Sequence, residues 1–175
     1  DGALVVSPYY NKPTQEGLYR HFRAIAESVA IPIVVYNIQS RTAVNVETAT
    51  MSRLVKDVKN IRGVKEASGS LDQMSQVVAA CGPDFAVLSG DDNITLPLMA
   101  IGGHGVISVI ANIVPRETAE MVHAALEGDI KRARELVEKA KGKWVGHNPW
   151  GRRRLAYEID HKGEGAYHLL NFDAE

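Results

Sequence analysis

The chain has 175 residues, 45% of them hydrophobic and 23% charged, with a formal net charge of −1. These are the proportions of an ordinary globular domain large enough to bury a real core. The near-neutral balance gives no electrostatic footprint for nucleic acid or an anionic membrane surface, and the single Cys81 excludes an internal disulfide framework or a Cys-rich zinc site.

No apolar run reaches the ~18 residues of a membrane span. The first residues lack the basic, apolar and small-residue regions of a signal peptide, and the lone cysteine fits a reducing cytoplasm. Asp1-Gly2-Ala3-Leu4-Val5-Val6 enters a strand at once, with no initiator Met. A strand starting at residue 3 usually needs neighbours on both sides, so the chain reads as lacking its natural beginning.

In chain order, continuous apolar runs predict strands over Ala3–Ser7, Ile31–Tyr36, Ile61–Glu66, Phe85–Ser89 and Gly105–Ile110. Runs without alternation are the pattern of parallel strands covered on both faces. Helical signals lie between them. Thr14 precedes an apolar stripe at Leu18, Phe22, Ile25 and Ala26, and Glu47–Val55 predicts a second helix. Ser70-Leu71-Asp72-Gln73 reads as a capping box opening a third, which Gly82-Pro83 stops. Asn93–Ile101 is a short fourth, Pro115 opens a fifth through Leu126, and Asp129 caps a sixth running to about Lys141. Strand-to-strand spacing of roughly 20–30 residues is that of right-handed βα units. Two α/β architectures fit: a doubly wound open sheet or part of a (β/α)₈ barrel. No Gly-x-Gly-x-x-Gly follows a strand, which counts against the dinucleotide-binding version.

Residues 142–175 break this pattern. Both tryptophans, Trp144 and Trp150, fall here with scattered glycines and Arg152-Arg153-Arg154. This stretch reads either as a solvated, partly disordered tail or as a hairpin or helix capping residues 1–141. His147 and His161 lack metal-ligand spacing, so no metal is expected.

In both architectures chemistry gathers at the C-terminal ends of the strands. Lys65 is the informative residue there. An ammonium group at the tip of a buried strand is unusual, and apolar walls favour the neutral amine that attacks carbonyls. Around it fall Tyr9 and Tyr10, Tyr36, Arg41, Gly90 with Asp91 and Asp92, and Ile107. An amine nucleophile calls for a carbonyl substrate, most simply a 2-oxo acid. Arg41 suits a carboxylate, or is a loop arginine on a surface acid. Tyr36 is a proton shuttle, or a core aromatic with its hydroxyl tied off. Gly90 leaves room for a ligand beside the lysine. Asp91 and Asp92 read as caps of the following helix rather than as bases.

The stretches PYYNKPTQEGLYRHF, YNIQSRT, GVKEASG, LSGDD and GGHGVISVIANIVPRE, in that order over residues 1 to about 140, resemble the dihydrodipicolinate synthase/N-acetylneuraminate lyase family. LSGDD favours the synthase branch. The resemblance implies a (β/α)₈ barrel whose lysine forms a Schiff base with pyruvate. The enamine then adds to aspartate semialdehyde to give 4-hydroxy-tetrahydrodipicolinate, in lysine and diaminopimelate biosynthesis, without a cofactor. Carried over, Lys65 is the Schiff-base lysine, Tyr36 the proton-relay tyrosine, and Tyr10 the tyrosine completing a relay across a dimer interface. Arg41 lies at the pocket mouth for the second substrate, Gly90 and Ile107 line the pyruvate pocket, and Tyr9 is an interface tyrosine near a feedback site. The family pattern also places three strands before Ala3, with a relay threonine that is absent here. Gln39 stands at a common proline and Ala43 at a common glycine. Five barrel strands leave two sheet edges, which predicts a homo-oligomer or a covered gap and low activity for the chain alone. The alternatives are an inactive partial barrel, a 2-oxo-acid-binding module, or a related pyruvate aldolase.

Overall fold

The computed structural model describes residues 1–139 with their side chains and the backbone of residues 143–159 and 162–173. Five parallel strands alternate with helices: β1 (Ala3–Val6), α1 (Gln15–Glu27), β2 (Ile33–Asn37), α2 (Gln39–Thr42), α3 (Thr48–Asp57), β3 (Ile61–Glu66), α4 (Leu71–Cys81), β4 (Ala86–Ser89), α5 (Thr95–Ala100), β5 (Gly105–Val106), α6 (Pro115–Leu126) and α7 (Ile130–Lys139). The strands lie in sequence order, each hydrogen-bonded in parallel to the next. Sequential parallel strands with crossover helices are the pattern of a barrel wall, here five strands of one. Among the described residues no helix is long and apolar enough to cross a membrane.

Local chemistry explains the helix ends. The Thr14 hydroxyl accepts the Gly17 N–H at 3.3 Å, and the Asp129 carboxylate accepts the Arg132 N–H at 2.9 Å. Ser70 accepts the Gln73 N–H at 3.2 Å, but the Gln73 side chain does not return to the Ser70 N–H as a capping box requires. That N–H goes to the Ser68 hydroxyl instead, because the Gln73 amide is drawn into the core. α2 has no periodic signature because it is a single turn. It ends at Ala43 in the left-handed region, φ 56°.

One sheet face is covered by helices. Leu18 and Phe22 of α1, Met51 and Leu54 of α3, Met74 and Val77 of α4 and Leu98 of α5 are all 0% exposed. They pack on Ile33, Val35, Val64 and Val87. The other face is open, which corrects the expectation of strands covered on both faces. Leu4 and Val6 are 46% and 41% exposed, and Val34, Tyr36, Lys65 and Leu88 are half-buried. In a closed barrel this second face is the interior, packed against the strands across the barrel. β5 is also shorter than expected. The chain leaves the sheet after Val106, and Ile110–Asn112 forms a 3₁₀ turn rather than strand.

The chain divides into two compact units, Asp1–Arg134 and Glu135–Glu175. In the second, β6 (Lys143–Ile159) and β7 (Lys162–Asp173) pair antiparallel, with Trp144 opposite Phe172 and Arg154 opposite Glu164.

Candidate active site

Strand alternation places the site. Tyr36 of β2 lies opposite Lys65 of β3, which lies opposite Leu88 of β4, all toward the open face. One residue on, Asn37, Glu66 and Ser89 point to the helix-covered face and are 0% exposed.

The Lys65 amine sits 4.4 Å from the centroid of the Tyr36 ring. A positive amine is attracted to that face by the ring quadrupole. Among the described residues no hydrogen bond joins the amine to the Tyr36 hydroxyl, and the two groups meet through the ring. Gly90 follows β4 and abuts the lysine. A Cβ there would come within 2.6 Å of the Ala67 Cβ and 3.2 Å of the Lys65 Cε. Its missing side chain therefore makes room first for Ala67 and then for the lysine's own stem. The Ile107 N–H donates to the Ser89 carbonyl at 2.9 Å, which brings Ile107 beside Gly90 at the same rim.

Other sequence-derived candidates stand apart. Arg41 is exposed, on α2 rather than a loop. Tyr9 and Tyr10 are 68% and 92% exposed. Asp92 does not cap the helix that follows it. Its carboxylate accepts the Ser108 hydroxyl at 2.5 Å and the Val109 and Ile110 N–H groups at 3.2 and 3.0 Å. The physical reason is that the turn after β5 begins with free N–H groups, which a carboxylate one strand away can satisfy.

Sequence reasoning missed the buried polar cluster behind the lysine. Glu66 Oε1 accepts the Asn37 amide at 3.0 Å and the Ser68 N–H at 3.0 Å, and Oε2 accepts the Gln73 amide at 3.2 Å. Asn37 also donates to Asn45, and Asn45 to Gln73. Burial pushes the Glu66 carboxyl above the usual carboxylate range, opposed by the donors from Ser68, Asn37 and Gln73. The signal was available in the alternation. If Tyr36 and Lys65 face the rim, Asn37 and Glu66 must face the helices, where polar side chains require partners. Among the described residues no group of three or more His, Cys, Asp or Glu is arranged to hold a metal ion.

Two family models match the chain, and known proteins share its strand arrangement. Residues 115–175 match the ribosomal protein S6 family. The chain is 59% identical over 139 residues to a 4-hydroxy-tetrahydrodipicolinate synthase of Endomicrobium trichonymphae, covering 79% of this chain and 47% of that one. Among solved structures, dihydrodipicolinate synthase from Aquifex aeolicus superposes with TM-score 0.79 at 53% identity, over 81% of this chain and 48% of that chain. The chloride-inhibited dihydrodipicolinate synthase from Acinetobacter baumannii, complexed with pyruvate, gives TM-score 0.77 at 44% identity, over 80% and 48%. The chain thus spans about half the length of the relatives it matches. The dihydrodipicolinate synthetase family matches residues 1–142, most of the chain, and the chain belongs to that family.

Proposed function

We propose that this chain carries the lysine centre of a pyruvate-dependent, Schiff-base-forming lyase that makes 4-hydroxy-tetrahydrodipicolinate. The observation that carries the reading is the Lys65 amine held over the Tyr36 ring at the C-terminal rim of five parallel strands. A relative solved with pyruvate supports the first substrate.

In this reading the Lys65 nitrogen adds to C2 of pyruvate, and the carbonyl oxygen leaves as water after taking protons through Tyr36. Loss of a methyl proton gives the enamine. Its carbon attacks the aldehyde of aspartate semialdehyde, forming the C–C bond, and the aldehyde oxygen takes a proton. The semialdehyde's own amine then displaces Lys65 at C2, closing the ring and freeing the lysine. Arg41 binds the second substrate's carboxylate, while Gly90 and Ile107 shape the pyruvate side. Tyr10 and Tyr9 act at a subunit contact. Their exposure, with that of Leu4 and Val6, supports self-association.

Borohydride reduction with pyruvate tests this. The wild-type chain should gain a stable adduct that Lys65→Ala abolishes. Arg41→Ala should leave the adduct intact and weaken the response to aspartate semialdehyde. An adduct that survives in Lys65→Ala sinks the reading.

We also propose a domain boundary near residue 141. Residues 1–141 form the barrel-type domain and 142–175 a separate module, the latter within the stretch 115–175 that is similar to ribosomal protein S6. The antiparallel pairing of β6 and β7 and the family match over residues 115–175 favour it. The chain should then cosediment with ribosomes and lose this on removal of residues 142–175. Equal sedimentation without them counts against the module.

A further inference from the structure

The ladder between β2 and β3 contains a bulge. Ile33 pairs with Ile61, but the next residue, Val34, pairs with Gly63, so Arg62 is an extra residue on β3. Hydrogen bonds at the start of these strands therefore do not by themselves fix the register at their ends. Yet the Tyr36–Lys65 pairing depends on that register, because a slip of one residue would send Lys65 to the helix-covered face. Something downstream of the bulge must hold it.

Glu66 occupies that place. It pairs with Asn37 in the ladder, one step beyond Tyr36 and Lys65, and the two side chains are also bonded to each other. Through Ser68 its carboxylate holds the chain leaving β3, and through Gln73 it holds α4. Asn37 accepts the Val46 N–H at 3.0 Å, and Asn45 accepts the Asn37 amide at 2.8 Å, which ties in the loop before α3. The Glu66 carbonyl accepts the Gly90 N–H at 2.8 Å, which ties in the end of β4. Both carboxylate oxygens only accept, and this fixes which way the Asn37, Gln73 and Asn45 amides point.

We propose that Glu66 is a positioning residue for Lys65: its buried carboxylate, through Asn37 and Gln73, locks the register that places the amine over Tyr36. The consequence for catalysis rests on the Schiff-base reading above. The positioning itself does not.

The test is a swap. Glu66→Gln keeps the volume but turns an N–H₂ group toward the Gln73 amide, leaving two donors facing each other. Adding Gln73→Glu restores a carboxylate–amide pair with the two groups exchanged. The carboxylate now on α4 can accept from the new amide on β3 and from Asn45. The oxygen of that β3 amide can still accept from Asn37 and Ser68. Borohydride trapping of pyruvate should slow by about 10- to 100-fold in Glu66→Gln and recover in the double variant. Asn60→Ala is the stability control. Asn60 donates to the carbonyls of Ala26, Val29 and Ile31 at the opposite end of the sheet. That variant should lower the unfolding midpoint without slowing trapping. Wild-type trapping in Glu66→Gln overturns the proposal. A double variant that regains the wild-type unfolding midpoint but not the trapping rate also overturns it, since the carboxylate would then act by its charge at position 66 and not by the hydrogen bonds that fix the register. If the wild-type chain itself traps nothing, the Schiff-base reading fails. Positioning is then read from acetylation of Lys65 by acetic anhydride, which should rise in Glu66→Gln and return to the wild-type level in the swap. Unchanged labelling across the three chains would refute it.

Discussion

Gly90→Ala probes the contact between the β4 exit and the lysine. The added Cβ would stand 2.6 Å from the Ala67 Cβ, 3.2 Å from the Lys65 Cε and 3.3 Å from the Glu66 carbonyl oxygen. The first of these is closer than packed carbons approach, and the Ala67 Cβ, a backbone-anchored stub, can yield only if the strand end shifts. The Lys65 stem is flexible and would move. Overpacking of this kind costs about 1–3 kcal/mol. At about 2–4 °C per kcal/mol for a chain of this size, the unfolding midpoint should fall by about 2–12 °C. The double variant Gly90→Ala/Ala67→Gly removes the 2.6 Å clash and leaves the 3.2 Å contact with Lys65. It should recover part of the midpoint while pyruvate trapping stays slow. Thermal unfolding followed by circular dichroism, alongside the trapping rate, reads both effects. A Gly90→Ala chain with wild-type midpoint and wild-type trapping would show that the space at Gly90 does not matter to Lys65.

Two further outcomes test other parts of the fold. Among the described residues the buried ring nitrogen Nε2 of His21 has no partner, and burial holds the imidazole below its ordinary range, opposed by the Val6 carbonyl. The unfolded chain then binds the proton more tightly, so stability should rise with pH toward about 6.5 and be lost as pH falls below it. The urea midpoint should show this slope between about pH 5 and 7, and His21→Gln should flatten it; an unchanged slope in the variant assigns the effect elsewhere. Ala43 sits at φ 56°, where a Cβ is strained, so Ala43→Gly should raise the urea midpoint by about 1 kcal/mol of stability; a lower midpoint would contradict that.

Much of this fold was legible because it depends on long apolar runs and strong punctuation. Ile61–Glu66 and Pro115–Leu126 end where the sequence reading placed them, the first bounded by Asn60 and by Ser68-Gly69, the second by a proline and a glycine. The β5 end was not legible. Val109 and Ile110 are apolar enough to extend a strand, but the Asp92 carboxylate captures their N–H groups and turns the chain away. A run of β-branched residues carries no record of a carboxylate one strand away. The rim residues Lys65, Tyr36, Gly90 and Ile107 were placed by the rule that chemistry lies at strand ends, and their side chains or backbones do meet there. Tyr9, Tyr10 and Arg41 were placed at the same strand ends, and one chain leaves them exposed. The Glu66 cluster escaped because its partners lie far apart in sequence, at positions 37, 45 and 73. Only the parity of the strands gave it away.

The most direct measurement is the position of the reduced pyruvate adduct. The intact 175-residue chain is treated with pyruvate and borohydride, digested, and mapped by peptide mass. The adduct should fall on Lys65 alone. The exposed amines of Lys12, Lys56 and Lys59 should remain unmodified. A modification spread over those exposed lysines, or an unmodified Lys65, would contradict the assignment of Lys65 as the nucleophile.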